Sequence, residues 1–211
     1  MKCMIGILAL AAALICGPTT SNAATFVYTA SMDGPSEPTD SPGTGMARVT
    51  YDDVLHSMRV EATFSGIETV GHAPNPNPTS ATTAAHIHAP TPAPFTSTAG
   101  VATQTPSFSG FPLGVNAGAM DTTFDLTLAS SWNAAFISAN GGTPATAEAA
   151  FFGFMNTGRA YFNIHSNNHA GGEIRGFFRL VPEPATIGLA GIGALAVALS
   201  RRRARRVNAQ A

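Results

Sequence analysis

Apolar and polar residues alternate with a period of two through the first third of the chain. In residues 25–31, Phe26 and Tyr28 share one side and Val27 takes the other. In 45–51, Ala47, Val49 and Tyr51 oppose Met46, Arg48 and Thr50. In 57–64, Met58, Val60, Ala62 and Phe64 oppose Arg59 and Glu61. That period is the mark of half-buried strands, since successive side chains of an extended chain point to opposite faces. The stretch SEPTDSPGTG, residues 36–45, interrupts them with turn formers.

Two proline-rich loops follow, HAPNPNPTS at 72–80 and APTPAPF at 89–95, on either side of a strand around residue 86. Residues 122–128 read as another strand. Residues 131–139 read as a short helix, capped by Ser130 or Ser131 and stopped at Gly141 and Gly142. A second helix is predicted over 144–155, where Pro144 fits the first turn and Gly158 lies just past the end. Strands over 159–166 and 173–180 close the pattern, which contains no internal repeat. The expected architecture is mainly β, an antiparallel sandwich or barrel with one or two short helices between late strands.

Both ends carry apolar runs of a different kind. Met1 and Lys2 precede an apolar run through Cys16, and Ser21, Asn22 and Ala23 place small residues where a signal peptidase reads them. The expected signal peptide is 1–23; Ile15 before Cys16 disfavours a lipoprotein signal. At the other end Pro182, Glu183 and Pro184 precede an apolar run over 185–199, then Arg201, Arg202, Arg203, Arg205 and Arg206. Such a run covers only ~22 Å as a helix against a ~30 Å hydrocarbon core. The arginines act as a stop-transfer signal and hold that end on the cytoplasmic side during a transient insertion into the inner membrane.

Composition then bounds the segment between, residues 24–181, which is long enough for one domain. Both cysteines, Cys3 and Cys16, precede it, so it can form neither a disulfide nor a cysteine-based zinc site. It has five arginines and no lysine against eleven acids, a net charge of −6 where the whole chain shows −1. A nucleic-acid partner, which needs a basic face, is excluded. Cations or neutral glycans fit that balance.

Five motifs run in order through this segment: Gly43–Thr44–Gly45; the strand pair after it; AAHIH at 84–88; Gly-x-x-Tyr-x-Asn-x-His at 158–165; and Gly-Glu-Ile-Arg-Gly at 172–176. Together they resemble the CHRD domain, named for chordin and common in bacterial secreted proteins. The chain departs from that pattern in its long proline-rich loop before Ala81 and in Ala89-Pro90, where glycine is common after the second histidine. The tail resembles the PEP-CTERM sorting signal of Gram-negative bacteria that make extracellular polysaccharide. That resemblance implies recognition by an exosortase-type enzyme and a protein secreted or held at the cell surface. A structural or binding role in the polysaccharide or biofilm matrix would follow, with exopolysaccharide as a partner.

The candidate chemistry lies in the histidines. His86 and His88, two apart on a strand, share a face, with Ile87 on the other. In 159–166 Tyr161, Asn163 and His165 oppose Phe162 and Ile164. In 173–180 Glu173, Arg175 and Arg179 oppose Ile174, Phe178 and Leu180. With the apolar faces turned inward, His86, His88, His165, Glu173 and Arg175 all turn outward onto one wall. A His-x-His pair with a distant third histidine suits copper or zinc, His169 serving as a further ligand. The same residues also read as a hydrogen-bonded surface cluster or as separate side chains.

This local pattern is similar to the copper/zinc superoxide dismutases, so the sandwich or barrel is expected to be immunoglobulin-like or superoxide-dismutase-like. Residues 89–158 contain no histidine for that family's bridging and zinc positions, and only Asp121 and Asp125 as aspartates. Glu173 and Arg175 read as an ion pair or polar hub, Trp132 and Phe136 as core, and His56 and His72 as facing solvent. No phosphate loop, serine elbow or Cys/His pair is present, so no catalytic residue is assigned and the protein is not expected to be an enzyme.

Overall fold

The computed structural model describes residues 25–67 and 80–182. The expected signal peptide, His72 with its proline-rich loop, and the tail from Glu183 onward, with Pro184 and the arginines Arg201 to Arg206, lie outside the described residues. No helix among the described residues is long and apolar enough to cross a membrane.

Three alternating stretches form a meander: β1 (Thr25–Asp33), β2 (Thr44–Asp52) and β3 (Ser57–Ser65). Their pairing is antiparallel and unbroken, Tyr28 opposite Val49 and Val49 opposite Val60. The faces carrying Phe26 and Tyr28, Ala47, Val49 and Tyr51, and Met58 to Phe64 are the inward ones. Tyr28, Ala47, Val49, Met58, Val60, Ala62 and Phe64 are buried, Ala30 and Met32 extend the β1 set, and Phe26 and Tyr51 are partly buried. Next come β4 (Thr82–His88) and β5 (Gly118–Asp125). β5 begins earlier and ends sooner than residues 122–128, because Leu126 turns inward and its N–H bonds the carbonyl of His56.

Helix α1 (Ala134–Ala139) starts later than expected, since the side chain of Asn133, rather than a serine, caps it by accepting from the N–H of Ala135. Helix α2 (Pro144–Asn156) matches its prediction and carries a reciprocal Thr143/Thr146 capping box. The chain ends in β6 (Tyr161–Ser166), β7 (Ile174–Phe177) and β8 (Arg179–Leu180). The single strand expected over 173–180 is thus broken. Phe178 drops into the core and its N–H bonds the carbonyl of Ala160, so Leu180 ends exposed instead of inward.

The strands make one eight-stranded antiparallel sheet in the order β4-β6-β7-β1-β2-β3-β5, with β8 also on β1. It is a curled half-barrel, closer to the barrel form of the expectation than to two facing sheets. Its concave side holds one apolar core filled by α2 and by aromatic rings. Trp132 stacks on Phe136 at 6.0 Å, and Phe151 meets both rings edge-on. Each large side chain buried there contributes about 1.5–3 kcal/mol. Gly176 brings β7 and β1 together, because any side chain at that position would strike the carbonyl of Ser31.

Candidate metal centre

β4 is an edge strand of the sheet, and residues 89–117 fold back along its free edge. The N–H groups of Ala102 and Phe108 bond the carbonyls of Ile87 and Ala85, and the Thr103 hydroxyl accepts from Ile87. This lining continues over the convex face, where the histidines stand. On that face the β4–β6 register sets Ala84 opposite His165, His86 opposite Asn163, and His88 opposite Tyr161. The β6–β7 register adds Arg175 opposite Asn163 and Phe177 opposite Tyr161. The predicted face assignment is correct: Ile87, Phe162 and Ile164 are wholly buried on the other side.

The expected exposure is not found. His86 and His88 are each only 7 % accessible, and Glu173 and Arg175 are 0 % and 6 %. Alternation shows which side of a strand a residue takes, and here a long loop covers that side. His165 is partly exposed.

One ring nitrogen from each of His86, His88 and His165 lies within 4.8 Å of the other two. Each ring is tied at its far nitrogen to a backbone carbonyl. His86 Nε2 bonds the carbonyl of Pro106 at 2.6 Å, His88 Nδ1 that of Ala99 at 2.9 Å, and His165 Nδ1 that of Ala170 at 3.0 Å. A carbonyl only accepts, so those three nitrogens carry the hydrogens. Burial pushes all three pKa values down, that of His88 to about 4, so the rings are neutral near pH 7. Their other nitrogens are therefore bare lone pairs: Nδ1 of His86, Nε2 of His88 and Nε2 of His165. His88 Nε2 is buried with no hydrogen-bond partner among the described residues. His86 Nδ1 and His165 Nε2 face each other at 3.3 Å with no hydrogen to place between them.

Two further residues brace this arrangement. Tyr161 stacks on His88 at 4.9 Å between centroids, and its hydroxyl accepts from the N–H of Ala99, whose carbonyl holds His88. Arg175 lies over Tyr161 at 5.0 Å and donates to the carbonyls of Ser36 and Ser97. Its carboxylate partner is Glu37, 3.3 Å away. Burial raises the Glu37 pKa to about 7 against the lowering pull of Arg175. Glu173, the expected partner of Arg175, accepts from the Ser41 hydroxyl at 2.6 Å and takes the Thr39 hydroxyl on its carbonyl. The pair is a hub in the sense that Arg175 and Glu173 each bind the 34–43 turn.

His169 is not gathered with the other three. It sits in the turn after β6, where its carbonyl accepts from Ser166 and Gly172. His56, predicted to face solvent, is half exposed but meets buried Glu148 at 3.0 Å. Asn163 was missed by sequence reasoning. It is 1 % accessible, and its Oδ1 has no hydrogen-bond partner among the described residues. Its place two residues before His165 on the same face was the available signal. Gly172 packs against its amide at φ +133°, where a side chain would collide with it.

The family model described as CHRD domain matches residues 28–178. This chain belongs to the CHRD domain family. The match covers β1 from Tyr28 and all of β2 to β7, so the three histidines and Arg175 lie inside the CHRD domain. A second model, the PEP-CTERM protein-sorting motif, matches residues 180–203, directly after it. That motif implies processing by an exosortase-type system and export through the membrane to the surface or exterior of a Gram-negative cell. No curated protein and no solved structure matches this CHRD protein.

Proposed function

We propose that this CHRD domain is a transition-metal-binding module that works outside the cell, in or on the polysaccharide matrix, and is a binder rather than an enzyme. The observation that carries the reading is the set of three bare ring nitrogens. Three backbone carbonyls use up the other nitrogens of the same rings, the arrangement by which outer contacts orient histidine ligands. Two neutral lone pairs 3.3 Å apart repel each other, and a cation between them reverses the sign of that interaction. Tetrahedral zinc with ~2.0–2.1 Å bonds spaces its nitrogens at about 3.4 Å, so the His86–His165 edge already has the required length. The His88 ring would close in by an ångström or so. Imidazole suits copper and zinc alike, and both remain in the proposal.

The matrix location is supported by the sorting motif and by the convex face of β1 to β3. Thr29, Ser31, Thr44 and Thr63 present hydroxyls there around exposed Met46. These hydroxyls stand beside Arg48, Arg59, Glu61 and Asp121, whose two positive and two negative charges pair with one another, so the face is polar, balanced in charge and suited to a neutral glycan. Exopolysaccharide is the proposed partner on that ground.

Calorimetric titration of the untagged protein with copper(II) and with zinc(II) tests the metal reading. Near-stoichiometric uptake is expected, lost in a His86→Ala, His88→Ala double variant. Absent uptake, or uptake unchanged in the double variant, would overturn it. Superoxide turnover by the copper-loaded protein would move the assignment from binder to a dismutase-like redox protein.

A further inference from the structure

Resting on the metal reading above, we infer that the ion held by His86, His88 and His165 takes a small monoanion as an exchangeable fourth ligand, beside Asn163. The first ground is ligand count. Among the described residues the cluster offers three donors, all imidazole, and no carboxylate joins them. A site with three protein ligands leaves a position for an exogenous one.

The second ground is charge. Three neutral ligands leave the +2 of a divalent ion uncompensated in a largely buried site, where charge separation is costly. The charged groups nearby do not neutralise it directly. Arg175 and Glu37 are spent on each other, and Glu173 is turned to Ser41. A monoanion bound to the metal, hydroxide formed from bound water included, relieves this cost, and neutral water does not.

The third ground is the surroundings. His86 and His88 are buried and bonded to the carbonyls of Pro106 and Ala99, and His165 is the most accessible of the three. That favours a ligand of a few atoms. Asn163 stands cross-strand from His86 and two residues from His165, with a buried and unpartnered Oδ1. An amide presents either an acceptor or a donor. The Asn163 Nδ2 donates to the Gly171 carbonyl at 3.5 Å, so Oδ1 can take a hydrogen bond from bound water, and giving one to an anion requires the amide to turn and surrender that long bond. A polar group this deeply buried calls for such a partner.

Cobalt(II) and sodium azide are the probes. The untagged protein is loaded with cobalt(II), uptake is followed by calorimetry, and azide is then titrated while the visible cobalt spectrum is recorded. A saturable spectral change at millimolar azide is expected. A cobalt spectrum indifferent to 100-fold more azide would mean that a fourth protein donor closes the shell, and would overturn this inference while leaving the metal reading intact. Failure to take up cobalt, zinc or copper would instead remove the metal reading itself. Asn163→Asp places a negative charge beside the ion in nearly the same volume. It should weaken azide about tenfold and tighten cobalt, opposite shifts that a merely structural disturbance would not produce. Azide affinity equal to that of the unsubstituted protein would remove Asn163 from the site.

Discussion

His86 Nδ1 and His165 Nε2 face each other across β4 and β6 at 3.3 Å, each with its hydrogen committed to a carbonyl on the far side of its ring. The contact joins residues 79 apart in sequence. It concentrates proton affinity and metal affinity at one point, so the two compete there.

That competition has a definite pH range. The folded pKa of His88 is pushed down to about 4 from a usual value near 6.5, so the unfolded chain binds the proton more readily than the native one. Stability contributed by the neutral ring is therefore complete above pH ~6.5 and is lost as pH falls toward 4. A shift of this size corresponds to about 3 kcal/mol at most. His56 acts with the opposite sign: Glu148 raises its pKa, so its contribution is present below the usual value and fades as pH rises through the raised one. Glu37, its pKa raised to about 7 by burial, opposes His88 in the same range, so the test is the difference between variants. Urea melts of metal-free protein between pH 4 and 7 should show less gain of stability with pH in His88→Gln than in the parent, the Glu37 and His56 contributions being common to both. A profile as steep in His88→Gln as in the parent would contradict this assignment.

The two faces of β6 predict unequal costs. Ile164 is wholly buried in the core, and its truncation to alanine should cost about 2–5 kcal/mol through lost transfer energy and the cavity left behind. His165 lies partly exposed on the convex face, and His165→Ala in metal-free buffer should cost ~1 kcal/mol or less. Urea midpoints with unchanged slope measure both. A larger loss for His165→Ala would show the histidine acting as core.

Arg175 joins the 34–43 turn, through Ser36 and Glu37, to the lining over β4, through Ser97. Removing one partner of a buried pair leaves the other charge uncompensated. Arg175→Ala should therefore cost about 3–5 kcal/mol, and Glu37→Gln in the same background should recover part of it. Because Ser97 lies two residues from Ala99, whose carbonyl holds His88, zinc affinity should fall along with stability. A double-mutant cycle on urea stability, paired with zinc calorimetry, checks both parts.

The sorting motif predicts a cut. Protein isolated from a host with the sorting enzyme should lack everything beyond about Glu183. Intact mass gives the answer directly, and a product still carrying Arg201 to Arg206 would be incompatible with this processing. A host without the enzyme should retain an inner-membrane precursor.

The sequence by itself determined the strand faces, the helix near residue 144, the acidic lysine-free charge and the address at the tail. All of these are local or additive properties: period-two alternation, capping chemistry, composition and contiguous motifs need no knowledge of what packs where. It also paired His86 with His88, because two residues on one strand must share a side. What lies over that side was not legible. The carbonyls of Ala99, Pro106 and Ala170 come from loops with no periodic signal, and they turned an expected exposed wall into a buried centre. The break of the last strand at Phe178 depended on a cavity built by other elements. The register of β4 against β6 set His165 rather than His169 beside His86, since strand pairing fixes one residue and a turn carries the other away. Long-range pairing and loop coverage are products of the closed fold, and only the tertiary structure could decide them.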